Sequence, residues 1–370
     1  MTATGAPARV PAPRRSPHRG PRWASAARYT TLLVVLAAAV VLATLLAVSV
    51  GAVGVPLPDT WRIIAHHVAP GSVTPTFTTV QDRIVWDFRM PRALLAILVG
   101  AGLALVGAVL QAVVRNPLAD PFLLGVSSGA SLGAVLVLVL GSQAVGGLGL
   151  SAAAFLGSLA ALGAVYLLAQ RSGRITAARL LLSGVAMAYL FQALFSFVLQ
   201  QAQTGQVAQQ VLFWLLGSLA GARWDVLPVP TIVLAAGLVV LLVQWRPLNA
   251  LLAGEEIAAS LGINVTRLRG GLFALTALLV GCLVAVSGAI AFVGLIVPHV
   301  ARLLVGSDHR RVLPVTALAG AAFLLLADLA ARTLAEPQEL GLSIVTALAG
   351  VPFFLWLLRR RSTDAPVNAA

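Results

Sequence analysis

The chain has 370 residues, 59% of them hydrophobic and only 10% charged, where an ordinary soluble domain carries about 25% charged residues. All 25 basic residues are Arg, so a Walker A phosphate loop and Schiff-base chemistry, both of which need Lys, are excluded. The single Cys, Cys282, excludes a disulfide frame and a Cys-based metal site, and the five His show no H-E-x-x-H spacing. In so apolar a chain a net charge of +13 points to inner loops and anionic lipid rather than to nucleic acid.

Residues 1–28 are rich in Pro, Ala and Arg and read as a disordered basic cytoplasmic tail. The apolar run Thr31–Val53 is too long for the core of a signal peptide and has no A-x-A-like end. No charge falls between Arg28 and Asp59, more than the ~20 apolar residues that a spanning helix needs. Period-two alternation is absent, so the spans are helices and not barrel strands. Ten spans are predicted, near 30–53, 91–113, 122–141, 148–170, 179–200, 226–245, 270–288, 289–305, 312–333 and 342–358. They form one transmembrane domain over 29–358, followed by a cytoplasmic tail at 359–370. A short helix near Gln206–Ala220 is expected at the outer surface.

Charge supports this count. With the N-terminus inside, nineteen of the 25 Arg fall on the inner side. Six are outer: Arg62, Arg83, Arg89, Arg92, Arg223 and Arg332. That bias places both termini in the cytoplasm. Leu105–Val109 and Val286–Ile290 each precede a Pro-containing segment, in spans that run in opposite directions. An inverted repeat relating spans 2–5 to 7–10 would produce that pattern.

Four places carry polar groups that need an account. The inner loop 253–269, AGEEIAASLGINVTRLR, starts with Glu255 and Glu256, suited to a helix N-terminus. Gly262 suits a C′ position, and 263–268 can form a second short helix. Such a loop fits a groove on a partner or lies on lipid. The turn Arg115–Pro121 is Pro-broken, which at membrane depth needs protein or a water-filled cavity around it. Arg89 and Arg92 lie outside against the general bias, as carboxylate-binding forks or as snorkelling helix ends. Asp328, an acid inside an apolar run, is a functional candidate in a membrane, with Arg332 at i+4 favouring a helical ion pair instead. Gly125–Gly129 matches the G-x-S-x-G pattern of esterases but lacks a preceding strand, so no nucleophile is expected. His299 reads as a buried, hydrogen-bonded histidine.

The order of residues from Arg89 to Ser131, RMPRALLAILVGAGLALVGAVLQAVVRNPLADPFLLGVSSGAS, resembles the membrane subunit of bacterial ABC importers for iron–siderophores, haem and vitamin B12, the FecCD-type permeases. The resemblance extends over most of the chain, from Tyr29 to Leu358. It implies an all-α polytopic fold of the type II importer permease kind. It implies a second permease subunit, identical or homologous, two copies of a separate ATPase subunit that uses ATP, and an extracytoplasmic binding protein. The chain itself would bind no cofactor or metal and catalyse nothing. Cargo would be an iron–siderophore chelate, with haem or cobalamin as alternatives. An ion-coupled secondary transporter is the rival class, and it would need several intramembrane ionisable groups. By the same resemblance, Gly254, Glu255, Glu256, Leu261 and Gly262 belong to an ATPase-coupling loop. Asn116, Leu118, Thr176 and Ala177 form a cytoplasmic gate, and Arg89, Arg92 and Arg332 dock the binding protein.

Overall fold

The computed structural model describes residues 26–51, 53–121, 125–171, 174–202 and 204–363. The chain forms helices almost throughout. In order they are α1 (Ala26–Ser49), α2 (Leu57–Val68), α3 (Thr79–Arg83), α4 (Met90–Val114), α5 (Val126–Leu140) and α6 (Leu150–Ala169). A two-stranded hairpin follows, β1 (Gln170–Arg171) with β2 (Arg174–Ile175). Then come α7 (Ala177–Leu199), α8 (Gly205–Leu215), α9 (Pro228–Val243), α10 (Trp245–Ala253) and α11 (Glu255–Ser260). The last four are α12 (Val265–Ser287), α13 (Val293–Val305), α14 (His309–Thr333) and α15 (Leu342–Thr363).

Among the described residues, seven helices are long and apolar enough to cross a membrane, and three shorter apolar helices complete ten passes. The short ones are α5, α13 and Leu342–Leu355 of α15. A helix of 13 residues such as α13 is about 20 Å long, less than the ~30 Å hydrocarbon core. The eighth predicted span therefore begins with non-helical backbone at 288–292. Protein groups satisfy that segment. Ser343 Oγ donates to Ala289 O at 2.7 Å and accepts from Ala291 N at 3.3 Å. Ser218 N donates to Ser287 O at 2.9 Å. This is what irregular backbone inside a bilayer requires.

Several boundaries differ from expectation. Residues 26–28, predicted as tail, belong to α1, while the rest of that tail and residues 364–370 lie outside the described residues. Phe122, the predicted start of span three, also lies outside them, and α5 starts at Val126. The second predicted span extends outward. A capping box at Thr78 and Gln81 starts α3, and a π-helical turn over Ile84–Arg89 joins it to α4. The segment 263–268 is not a separate short helix, because Asn264 caps α12 at Val265 and the chain continues without a break. The amphipathic α2 adds an element outside the ten spans.

The fold is organised around α4, which is buried along most of its length and packs against α12, α13 and α14. Two apolar clusters meet along it. Its glycines set the spacing. A Cβ on Gly107 would sit 1.9 Å from Gly294 O of α13, and one on Gly100 would sit 2.3 Å from Gly320 O of α14. Such close approach is how helices associate where no hydrophobic force separates them from lipid. Gly288, in the matching pentapeptide, serves differently, ending α12 with φ +67°.

Candidate functional site

The predicted inner turn begins where α4 stops. Arg115 adopts a left-handed conformation, φ 55°. Its N–H donates to Ala112 O, and Asn116 N–H donates to Gln111 O, a Schellman-type end. Asn116 Oδ1 accepts from Leu118 N at 2.9 Å, so the side chain holds the turn in shape. Leu118 is exposed and lines a small cleft with Leu295, His299 and Phe353. Thr176 caps α7, its Oγ1 accepting from Arg179 N at 3.4 Å. Ala177 follows, half-buried in the first turn.

On the same side, Gly254 takes φ +139° between α10 and α11. Glu255 and Glu256 open α11, where the helix dipole favours them. Gly262, φ +77°, closes it: Gly262 N donates to Ala259 O and Ile263 N to Ala258 O. Leu261 is 67% exposed and Ile257 49%, so the loop presents two apolar side chains outward.

A residue that sequence reasoning treats only as one inner charge connects these segments. Arg269 lies in the second turn of α12 and is 1% exposed. Its Nη2 donates to Glu255 Oε1 at 2.7 Å, its Nε to Val113 O at 3.3 Å, and its Nη1 to Ile175 O at 3.3 Å. The Arg269 hydrogen bond holds the Glu255 carboxyl below its ordinary range, and the field of Arg115 acts in the same direction. The available signal was the more deeply placed of two Arg at the start of an apolar helix, which has to find partners.

A second polar link has no sequence signal of its own. Gln111, buried in α4, donates to Gly294 O and Leu295 O of α13 and accepts from Arg302. It anchors the short α13 to α4.

At the opposite end Arg89, Arg92 and Arg332 bond within the chain. Their forks do not face outward. Arg89 Nη1 donates to Val48 O at 3.0 Å and Ser49 O at 2.9 Å, and Nη2 to Val53 O. Arg332 donates to Ala47 O at 2.9 Å and Val50 O at 3.4 Å. Together they satisfy the carbonyls that the end of α1 leaves without helical partners. Arg92 binds Asp328 through Nε and Nη2 at 3.0 Å, and Glu339 through both Nη atoms at 2.9 Å. Asp328 also meets Arg332 Nε at 3.2 Å, the expected i+4 pair. Its side chain is 2% exposed, so it is a structural counter-ion. These arginines lie outside against the charge bias because a helix C-terminus and two carboxylates hold them there.

The two remaining motifs resolve simply. Ser127 of Gly125–Gly129 sits buried in the first turn of α5, and no strand precedes it among the described residues. His299 is buried in α13, edge-on to Phe353.

Beside α8, at the predicted outer end, lies a cavity of about 630 Å³. Gln206, Gln209, Gln210, Trp214, Ser218 and Ser287 contribute to its lining. Its described lining carries carboxamides, hydroxyls and apolar groups but no charged side chain.

A chain of ten passes with a broken α13 and an apolar-tipped inner loop has recognisable counterparts. The model of the FecCD transport family matches residues 39–360. The chain belongs to the FecCD transport family. It is 47% identical to the cobalamin import system permease protein BtuC of Halobacterium salinarum, over 76% of this chain and 75% of that one. It is 43% identical to the hemin transport system permease protein HmuU of Yersinia pestis, over 77% of this chain and 86% of that one. Its fold matches a metal-chelate-type ABC transporter solved in an inward-facing conformation. The TM-score is 0.78 and the identity 35%, over 90% of this chain and 100% of that one. The chain is thus a permease of the ABC importer kind, a multi-pass membrane protein.

Proposed function

We propose that this FecCD permease carries a bulky metal chelate with an uncharged, hydrogen-bonding periphery across the cytoplasmic membrane. Neutral ferric hydroxamate siderophores and corrinoids both meet that description. The observation that carries it is the cavity beside α8, where three Gln and three Ser residues are among the lining of a space for a large solute and no cation is available for a small oxyanion. Both termini lie in the cytoplasm in this reading, as the Arg distribution demands. Two permease subunits pair, two ATPase subunits bind the loop at Gly254, Glu255, Glu256, Leu261 and Gly262, and an external binding protein delivers cargo. Asn116, Leu118, Thr176 and Ala177 close the inner end of the path. ATP is hydrolysed by the partner subunit alone.

Reconstitution with the cognate ATPase and binding protein tests this. Liposomes should take up a ferric siderophore or cobalamin only with ATP inside and loaded binding protein outside. Uptake of molybdate in preference to either chelate would overturn the cargo class. Uptake that needs no ATP and collapses with an ion gradient would make the chain a secondary transporter. Against that reading, the buried carboxylate Asp328 is already paired with Arg92 and Arg332, and Arg269 with Glu255.

A further inference from the structure

We propose that Arg269 is a positioning residue that carries the movement of the ATPase-bound loop to both inner-gate segments at once. The inference rests on the coupling reading above and goes beyond it by naming the link. The coupling loop and the two gate segments converge on one guanidinium. Nη2 holds the first residue of α11, Glu255. Nε holds Val113 O, three residues before Asn116. Nη1 holds Ile175 O, immediately before Thr176. These partners lie 14, 156 and 94 residues away in the chain, so no local helical geometry explains the convergence.

The burial is asymmetric. Arg269 has a side chain 1% exposed, while Glu255 is 46% exposed at the surface where an ATPase would bind. A pull on α11 therefore reaches the buried cation through a charge-assisted bond, the strongest kind available. A guanidinium has a planar fork with donors on three nitrogens, so one rigid group answers three acceptors in different directions. An ammonium is a point charge and cannot hold all three in register. If α11 tilts, the α4 end and the hairpin must shift with it or lose their bonds to a cation that water cannot reach. That makes the assembly a discrete two-state element rather than a soft spring.

The test uses the full importer in liposomes with Arg269→Gln, Arg269→Lys, Glu255→Gln and Leu261→Asp. Four quantities are read: retention of the ATPase subunit, basal ATPase rate, its stimulation by loaded binding protein, and chelate imported per ATP. Arg269→Gln should keep the ATPase bound and its basal rate, yet lose stimulation and import by about tenfold, within the usual range of coupling energies. Arg269→Lys should recover part of the stimulation by keeping Glu255. Glu255→Gln leaves the buried cation in place and should uncouple in the same sense, which keeps the proposal testable if Arg269→Gln does not fold. Normal import per ATP in either neutral variant overturns the proposal. Leu261→Asp reports on docking alone: a variant that still holds its ATPase and imports normally defeats the coupling reading, whatever Arg269 does.

Discussion

Arg92 and Arg269 are both buried arginines near opposite ends of the molecule, and they are wired differently. Arg92 joins α4 to α14 and to Glu339 of the loop after it, and its neighbours Arg89 and Arg332 close the end of α1. The acceptors of this outer set belong to the frame of the protein, and Asp328 at its centre is almost fully covered. Arg269 instead ends on Glu255, which is half out in the open beside the exposed Leu261. The outer cluster is a lock and the inner one a link. Charge sign and membrane side are the same kind of information for both, yet they do not separate the two roles. Both chains of contacts reach a partly exposed carboxylate, Glu339 at 35% and Glu255 at 46%. What separates them is what they join, since Arg92 ties α4 to α14 and the loop after it, whereas Arg269 ties α4 and the hairpin to the short α11 that precedes the exposed Leu261.

Removing the lock should have the largest effect. Asp328→Ala leaves Arg92 and Arg332 without their shared counter-ion, at a cost of about 3–5 kcal/mol for a broken buried pair. Thermal unfolding in detergent should show a large drop, or no folded protein should be recovered. The double reversal Arg89→Glu with Arg92→Glu should fail in the same way, because it sets a carboxylate against the carbonyls at the end of α1 and another beside Asp328. A well-folded double reversal with selectively weakened binding-protein association would restore the docking role to these residues.

Breaking the surface end of the link should cost less and spare the fold. Leu261→Asp should weaken the ATPase complex by about 1–3 kcal/mol, the penalty for an unpaired polar group in an apolar groove. Unfolding temperature should be unchanged because the side chain is already exposed. Co-purification of the two subunits and unfolding scans check both halves of this expectation.

Outer docking, if electrostatic, falls to exposed arginines. Arg223 has a side chain 71% exposed and Arg62 44%, and Arg83 is exposed as well. Reversing these three to Glu should reduce association with the binding protein by about 0.2–1 kcal/mol per lost pair. The defect should shrink at high salt, where exposed charges are screened. Association rates measured at two ionic strengths decide it.

The smallest effect is on pH. Glu255 has a depressed pKa, caused by its Arg269 hydrogen bond and then by the field of Arg115. A group of this sign contributes fully above its ordinary range and loses its contribution as pH falls through the lowered value. Stimulated ATPase activity should therefore be flat at neutral pH and decline only on the acid side of the ordinary carboxylate range. Glu255→Gln should remove that acid limb.

Much of this protein was legible in the chain itself. The lengths of the apolar runs gave ten passes, because a bilayer demands about 20 residues per helix. Gly262 marked a helix end, since a left-handed residue there favours glycine. The i+4 pair of Asp328 and Arg332 was readable because it is local. The short α13 and its extended lead-in at 288–292 were not, because their backbone groups are satisfied by Ser343 and Ser218, which are distant in sequence. The partners of Arg92 lie 236 and 247 residues away, and those of Arg269 come from three separate segments. The amino-acid order alone determines which side of the membrane a charge occupies, because insertion reads each span in turn. Only the packed helices decide what that charge faces, because burying a cation forces it onto whichever distant acceptors the fold brings within reach.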